Sequence, residues 1–217
     1  MSHPIPKPLR LHQPSTMPSV YHEQKRIFDL VVVFATAALT LPLLAVCALA
    51  IRLSGPGPIL FRQTRTGADG REFSMLKFRS MVPNASALKD HLKAQNNATG
   101  PDFKLLNDPR ITRVGRILRQ TSLDELPQLW NVLRGDMSLV GPRPTSFGTD
   151  TYRLWHTERL EAKPGLTGLW QVVKRGDLDF DERVRLDIAY LRNRSLRLDL
   201  WIFLRTIPAV LRRQGAY

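Results

Sequence analysis

The side chains best suited to chemistry are two adjacent carboxylates, Asp124 and Glu125. Three arginines lie just upstream of the pair, namely Arg113, Arg116 and Arg119. A carboxylate surrounded by guanidinium groups stays ionised at neutral pH, as a nucleophile or a metal ligand must. The pattern therefore predicts a carboxylate that can attack an electrophile or bind a divalent cation.

A structural role explains the same two residues without any chemistry. Ser122 and Glu125 have the spacing of a capping box, and Asp124 in the first turn would suit the helix dipole. Leucine or tryptophan then recurs at helical spacing, at positions 123, 126, 130 and 133. The sequence thus also predicts a helix that begins at this pair, and both interpretations stay open.

Further cations are placed where they can meet an anion. Lys77 and Arg79 bracket Phe78 at the end of a predicted strand, which projects both cations on one face. Arg143 stands between two prolines that fix its backbone, so little entropy is lost when its planar fork binds a phosphate. Each feature has a plainer explanation, a solvated strand edge for the first two cations and an exposed turn for Arg143.

Composition restricts the class of partner. The 217 residues carry a formal net charge of +13, which indicates an anionic partner such as a nucleotide, nucleic acid, lipid phosphate or membrane surface. The single Cys excludes a disulfide framework and a Cys-based zinc cluster. The five His lack the spacing of a zinc hydrolase. No P-loop or G-x-G-x-x-G turn is present, so a nucleotide would be held by cations and metal.

The elements that must position these side chains can be read from periodicity. Residues 59–65 and 71–78 predict a β-hairpin, and residues 181–194 predict a helix. Residues 196–213 place Arg197, Trp201, Arg205 and Arg212 on one helical face opposite an aliphatic face. That pattern fits a helix lying in a headgroup layer, and equally a terminal helix packed on the core.

Residues 30–50 contain no charge and are long enough to span a bilayer core. Both flanks of this segment are basic, and cations resist translocation, so both ends are expected on the cytoplasmic side. Pro42 would break the helix, and Thr40 could offer its hydroxyl to a freed carbonyl. We therefore predict a re-entrant helix-break-helix. A single-pass anchor, a signal peptide and a buried core helix are the alternatives.

Four motifs in one order resemble those of the bacterial sugar transferases, the monotopic polyprenyl-phosphate phosphoglycosyl transferases. They are KFRSM at 77–81, TSLDELPQ at 121–128, RGDMSLVGPRP at 134–144 and PGLTG at 164–168. The resemblance covers roughly residues 25–213. Several long motifs in a fixed order are far more specific than any single pattern.

The resemblance implies an activity. The family transfers a sugar phosphate from a nucleotide diphosphate sugar to polyprenyl phosphate and releases the nucleoside monophosphate, with Mg²⁺ at the site. By this likeness Asp124 attacks the sugar-bearing phosphorus to give a phosphosugar-aspartyl enzyme, and Asp124 and Glu125 bind the metal. Phosphate or substrate binding would fall to Lys77, Arg79, Arg119, Arg143 and Arg175.

The expected protein is α/β, mainly helical with a short hairpin, and monotopic at the cytoplasmic face of a bacterial inner membrane. Its expected parts are a disordered leader (1–24), a re-entrant helix (25–54) and a catalytic domain (55–217) that ends in an interfacial helix. The expected partners are a UDP-sugar, undecaprenyl phosphate and the bilayer, without nucleic acid. The alternative is a membrane-tethered basic protein that binds nucleic acid without catalysis. The hexose and the oligomeric state cannot be read from the chain.

Overall fold

The structure is a computed structural model, and it describes residues 19–92, 105, 107–145, 152–173 and 178–211. The predicted leader therefore lies outside the described residues as far as position 18. The helices are α1 (Ser19–Leu53), α2 (Ala85–His91), α3 (Arg113–Gln120), α4 (Gln128–Arg134), α5 (Leu169–Val173), α6 (Phe180–Asn193) and α7 (Leu196–Leu211). The strands are β1 (Leu60–Thr66), β2 (Glu72–Phe78), β3 (Ser138–Val140) and β4 (Gly165–Thr167).

The long helix α1 contains the uncharged segment and begins at Ser19, so residues 19–24 are helical rather than part of a leader. The portion Val20–Leu53 contains an 18-residue stretch with a mean hydropathy of 2.5, and by length and composition it is able to cross a membrane. Helix α1 continues through Pro42. Thr36, rather than Thr40, donates its hydroxyl to a carbonyl one turn back, that of Val32, at 2.8 Å. The predicted break at Pro42 stays a prediction.

Both ends of α1 pack against other elements of the chain. Near the start, Arg26 donates to the carbonyls of Val132 and Leu133 at the end of α4, at 2.5 and 2.6 Å. Toward the end, Cys47 and Ile51 form a cluster with Phe78 and Leu118 from β2 and α3. The stretch between these two contacts is largely exposed and apolar, with Phe34, Leu39 and Leu41 each more than 60% exposed.

A buried polar network fixes the start of α1 to the domain. Lys25 forms an ion pair with Asp199 of α7 at 2.8 Å, and Tyr190 of α6 donates to the same carboxylate at 2.7 Å. Asp29 accepts hydrogen bonds from the Ser138 hydroxyl and the Leu139 amide of β3, at 3.1 and 3.0 Å. Because buried polar groups are costly when unpaired, these bonds make the docking of α1 specific.

The predicted hairpin is confirmed. β1 and β2 pair antiparallel from Leu60 opposite Phe78 to Thr66 opposite Glu72. Asp69 adopts a positive φ of 54° in the turn, a conformation that Asp and Asn tolerate better than most residues. The hairpin therefore delivers Lys77 and Phe78 to the end of β2, next to the turn that precedes α4.

The predicted capping box is wrong. Ser122 has a positive φ of 57° and makes no side-chain cap bond, and residues Leu123–Glu125 form a short 3₁₀ turn. The α-helix begins only at Gln128, after Pro127. The physical reason is that Glu125 finds stronger partners elsewhere, because ion pairs with cations outcompete a bond to a backbone amide.

A second small sheet, not expected from the sequence, pairs β3 with β4 in parallel, with Ser138 opposite Gly165 and Val140 opposite Thr167. A side chain at Gly165 would meet the backbone of Gly141, so the two strands approach each other closely there. This sheet lies in the main core with Val33, Val132 and Tyr190. The fold is mainly helical with two small sheets, and α6 and α7 match the two predicted C-terminal helices closely.

Candidate active site

Asp124 lies in the 3₁₀ turn between α3 and α4, with 8% of its surface exposed. Burial, together with the neighbouring Glu125 charge, raises the pKa of Asp124 to about 6, although Lys77, Arg119 and Arg143 act in the opposite direction. No hydrogen bond joins its carboxylate to any residue in the described part of the chain. Asp124 is therefore a desolvated carboxylate that is still mostly ionised at neutral pH.

Glu125 holds two cations that come from distant parts of the chain. Lys77 donates to its Oε1 at 2.9 Å, and Arg143 donates to both oxygens, at 3.1 Å to Oε2 and through a shorter contact to Oε1. Burial would raise the pKa of Glu125, but Arg143 and Lys77 outweigh burial and hold it well below its usual range. The three residues form a half-buried cluster, called the Lys77–Glu125–Arg143 triad below.

The sequence predicts that the three upstream arginines surround both carboxylates, but in the structure the three differ in their distance from the pair. Arg113 and Arg116 are exposed on α3, whereas Arg119 is close enough to lower the pKa of Asp124. The cations that form ion pairs at this site, Lys77 and Arg143, both pair with Glu125. Among the described residues Asp124 has no ion-pair partner, and its pKa is about 6. These properties suit a nucleophile, because a carboxylate held in ion pairs is a poor one.

Arg79, expected to bind substrate, has a structural role instead. Its guanidinium is buried and donates to three backbone carbonyls, those of Ile51, Gly55 and Pro56, at 3.1, 2.9 and 2.6 Å. The strand ends at Phe78, so Arg79 is no longer held on the face that carries Lys77. It therefore ties the end of α1 to the hairpin. Arg175 lies outside the described residues.

Two residues that position the site, Arg159 and Asn131, are not predicted from the sequence. Arg159 donates to the carbonyl of Arg143 at 2.6 Å and pairs with the buried carboxylate of Asp187 on α6 at 2.5 Å. Asn131 of α4 binds the β2 backbone on both sides of Met75, accepting from Leu76 N at 3.0 Å and donating to Ser74 O at 2.8 Å. The first fixes the loop of Arg143 and the second fixes the strand of Lys77. Neither contact has a local sequence signal, because each spans elements far apart in the chain.

The pair of Arg159 and Asp187 yields a stability prediction. Replacing Arg159 with methionine leaves a buried carboxylate unpaired, and we expect the free energy of unfolding to fall by about 3–5 kcal/mol. Burial already raises the pKa of Asp187 to about 6, and removal of Arg159 raises it further. The loss should therefore shrink as the pH is lowered and Asp187 takes up a proton. Denaturant unfolding in detergent at pH 5 and pH 8 measures both effects.

The double variant Arg159→Met with Asp187→Asn is the control. It removes the orphaned charge along with its partner, so it should recover much of the stability at pH 8. An equal loss at both pH values, unchanged in the double variant, would contradict this account.

The family resemblance implies a bound Mg²⁺, and the surroundings of Asp124 and Glu125 show which of the two carboxylates can bind it. Mg²⁺ is commonly held by one or two carboxylates together with substrate phosphates and water. The Asp124 carboxylate accepts no hydrogen bond from a described residue, so its lone pairs are available for such a role, whereas both oxygens of Glu125 already accept hydrogen bonds. No group of three metal-ligating side chains occurs among the described residues. The site therefore fits Mg²⁺ through Asp124 with phosphate oxygens of a substrate, and less well through Glu125.

Comparison with known proteins identifies a family to which the chain is similar. A sequence model of the family described as "Bacterial sugar transferase" matches residues 20–213. The UDP-galactose-lipid carrier transferase of Erwinia amylovora is 48% identical over 198 residues, which cover 89% of this chain and 41% of that relative. The UDP-glucose:undecaprenyl-phosphate glucose-1-phosphate transferase of Caulobacter vibrioides is 47% identical, with 89% and 72% covered. The exopolysaccharide production protein ExoY of Sinorhizobium fredii is 42% identical, with 89% and 88% covered. The chain thus spans about two fifths of some relatives and most of others.

Proposed function

The chain belongs to the bacterial sugar transferase family, and from that premise we propose that it transfers a hexose 1-phosphate from a UDP-sugar to undecaprenyl phosphate. The products are UMP and undecaprenyl diphosphate sugar, the first membrane step of exopolysaccharide or glycoconjugate synthesis. The observation that carries the proposal is the Asp124 carboxylate, which is buried next to the Lys77–Glu125–Arg143 triad and accepts no hydrogen bond from any residue that the structure describes.

In the first step a carboxylate oxygen of Asp124 attacks the phosphorus that bears the sugar. A bond forms between that oxygen and phosphorus, the diphosphate P–O bond breaks, and UMP leaves with the electron pair. A mixed anhydride between Asp124 and the sugar phosphate remains. Burial favours this step because the carboxylate has already lost its water shell, and a desolvated anion is a better nucleophile.

In the second step a phosphate oxygen of the lipid attacks the same phosphorus, and the Asp124 carboxylate leaves. The sum of the steps is donor plus acceptor giving lipid diphosphate sugar plus UMP, with Asp124 regenerated. A carboxylate that attacks in the first step and leaves in the second splits one difficult displacement into two easier ones. Mg²⁺, when bound, would neutralise charge on the phosphate oxygens.

The triad supplies the cations that these steps need. Lys77 and Arg143 are paired with Glu125 in the structure, so they are positioned before a substrate arrives. A diphosphate oxygen can compete with the Glu125 carboxylate for either cation, and Arg143 can bind it with two parallel N–H groups. Charge that builds up on the leaving UMP is then stabilised by groups that need no rearrangement.

The alternative of a nucleic-acid-binding protein is not supported. Nucleic-acid contacts rely on cations that are free to neutralise phosphates along an open surface. Lys77 and Arg143 instead converge on one carboxylate in a half-buried site, and the family match points to transferases.

The proposal includes a place in the membrane. A helix of this length, about 50 Å if straight, would put its ends on opposite faces if it spanned the bilayer upright. Both ends of α1 instead pack against one domain, which supports an embedding from one side only. We place that side at the cytoplasmic face, because the flanking residues are basic.

A topology prediction follows. With Cys47 replaced by serine, single cysteines at Glu23 and Arg62, both exposed, should react with a membrane-impermeant maleimide from the cytoplasmic side only. Labelling in right-side-out and inside-out vesicles measures this. Reaction of the two positions from opposite sides would contradict one-sided embedding and favour a single-pass anchor.

The pKa of Asp124 predicts the acid limb of the pH profile. The nucleophile must be ionised, so kcat/KM should fall about tenfold per pH unit below a pKa near 6. Glu125 raises the pKa of Asp124, so Glu125→Gln should move this limb to lower pH. Lys77, Arg119 and Arg143 lower it and stay in place. A limb that moves to higher pH in Glu125→Gln, or not at all, would contradict the assignment.

One assay tests the whole proposal. Detergent-solubilised protein is incubated with Mg²⁺ and a panel of UDP-sugars, with and without undecaprenyl phosphate. Release of UMP in step with lipid-linked product from one donor supports the proposal and identifies the hexose. UMP release without any lipid product, or no release from any donor, contradicts it.

A further inference from the structure

A cavity of about 200 Å³ lies beside Glu125, between the turn at residues 121–126 and helix α7. The lining side chains are mainly apolar, and they include Leu123, Leu126, Leu139, Leu166, Phe203 and Val210. None of the steps derived above uses it. Because Glu125 is one of its walls, a ligand in this cavity would lie within reach of the reacting phosphorus.

Polar side chains also line the cavity, and most of their groups are already paired. Thr121 donates to the carbonyl of Ile117 at 2.7 Å, and both oxygens of Glu125 accept hydrogen bonds from Lys77 and Arg143. Ser122 contributes a hydroxyl.

The hydroxyls of Thr167 and Thr206 are 2.7 Å apart, and Thr206 donates to the carbonyl of Ile202 at 2.9 Å. The hydroxyls of these two threonines are therefore already paired. Gln171 adds one buried amide, whose Oε1 accepts no hydrogen bond within the described segments.

This lining selects against the donor's polar parts. A hexose carries several hydroxyls and uracil carries amide and carbonyl groups, and burying them without partners costs free energy. The amide of Gln171 and the hydroxyl of Ser122 cannot pair them all. An apolar occupant needs no such partners for its own atoms and gains from leaving water.

The position of the cavity indicates where such an occupant comes from. Leu123 lines the cavity and also packs against the cluster of Cys47 and Ile51 near the end of α1. Helix α7 forms another wall and exposes Leu200 and Leu204, 46% and 53% exposed. An apolar chain that leaves the cavity over Leu123 therefore meets the hydrophobic helix α1 rather than water.

We propose that this cavity binds the phosphate-proximal isoprene unit of the polyprenyl phosphate acceptor, an inference that rests on the proposed function. A dry apolar cavity of about 150 Å³ is known to hold benzene, so a five-carbon unit fits the volume. The unit would fix the lipid phosphate beside Glu125 and the phosphosugar on Asp124. Specificity for an isoprenoid over other lipid phosphates would then reside in the turn and in α7.

The test fills the cavity and separates donor from acceptor. Ala209 is a buried lining residue, and Ala209→Phe adds a ring to the space. We expect the KM for undecaprenyl phosphate to rise at least about tenfold, the factor for excluding about two CH₂ groups from an apolar site. Exchange of labelled UMP into the UDP-sugar, which needs no acceptor, should stay within about twofold of wild type. Ala87→Phe adds the same ring at an exposed position on α2 and should leave both readouts unchanged.

A changed donor exchange with an unchanged acceptor KM would overturn the inference and assign the cavity to the donor. A second measurement does not depend on the folding of a variant. Undecaprenyl phosphate with a photoreactive group on its first isoprene unit is cross-linked to the wild-type protein, and the labelled peptides are mapped. Adducts on residues 121–126 or on α7 support the inference, and adducts confined to other segments contradict it. Absence of wild-type turnover would instead refute the proposed function, while the cross-link still locates the lipid.

Discussion

Asp124→Asn is expected to lose at least about 10³-fold in kcat for sugar-phosphate transfer, the largest effect that we predict for a single substitution. The amide has nearly the shape of the carboxylate but no anionic oxygen to attack phosphorus. With UDP-sugar alone, the wild-type protein should gain the mass of a hexose phosphate on a peptide that contains Asp124. The variant should gain none.

The same substitution should not destabilise the fold. The Asp124 charge is buried, and no residue in the described part of the chain donates a hydrogen bond to it, so a neutral amide removes a desolvation cost. We expect an equal or higher unfolding midpoint, as occurs when a strained functional site is neutralised. Loss of activity with retained stability would separate a catalytic role from a structural one.

Asp69→Asn is the matched control. Asp69 is exposed in the hairpin turn at φ 54°, a conformation that Asn tolerates, so transfer should stay close to wild type. Donor cleavage that persists in Asp124→Asn, or a phosphosugar adduct on another residue, would refute the proposed nucleophile.

Arg143→Ala is expected to lower kcat/KM for the UDP-sugar by about 10²–10³-fold, the second largest effect. Arg143 donates two N–H groups to the two carboxylate oxygens of Glu125 in the structure. A guanidinium binds two phosphate oxygens with the same geometry. Arg143→Lys keeps the charge but loses the planar guanidinium with its two parallel N–H donors. The activity of this variant should therefore fall between those of the alanine variant and the wild type.

The pH profile separates this role from simple loss of structure. Arg143 lowers the pKa of Asp124, so removing it should move the acid limb of kcat/KM to higher pH, opposite to the shift in Glu125→Gln. Arg192→Ala is the control, because Arg192 forms an exposed ion pair with Glu158, and such pairs contribute little. An Arg143→Ala variant with wild-type kinetics would remove Arg143 from the site.

Several features followed from local sequence, because they depend on neighbours along the chain. The hairpin was predicted to within about one residue at its ends, since alternation and turn residues are local signals. The ends of α6 were predicted equally well, and its actual capping box joins Asp179 and Glu182. The apolar run of α1 and the order of the motifs indicated the membrane segment and the family.

The capping box at Ser122 shows where local signals failed. The spacing of Ser122 and Glu125 is correct for a cap, but Lys77 and Arg143 bind Glu125 from positions 48 and 18 residues away. A pattern of four residues cannot register partners at that separation. The prediction for Arg79 failed for the same reason, because its carbonyl partners on Pro56 and Ile51 lie 23 and 28 residues earlier in the chain.

The sequence by itself determined that two adjacent carboxylates, a set of cations and an apolar helix belong to one protein. Only the tertiary structure decided that Lys77 and Arg143 pair with Glu125, while Asp124 is buried with a pKa of about 6 and pairs with no residue of the described segments. The physical reason is that ionisation depends on desolvation and on charges within a few ångströms, and the groups that supply both come together only when distant segments pack.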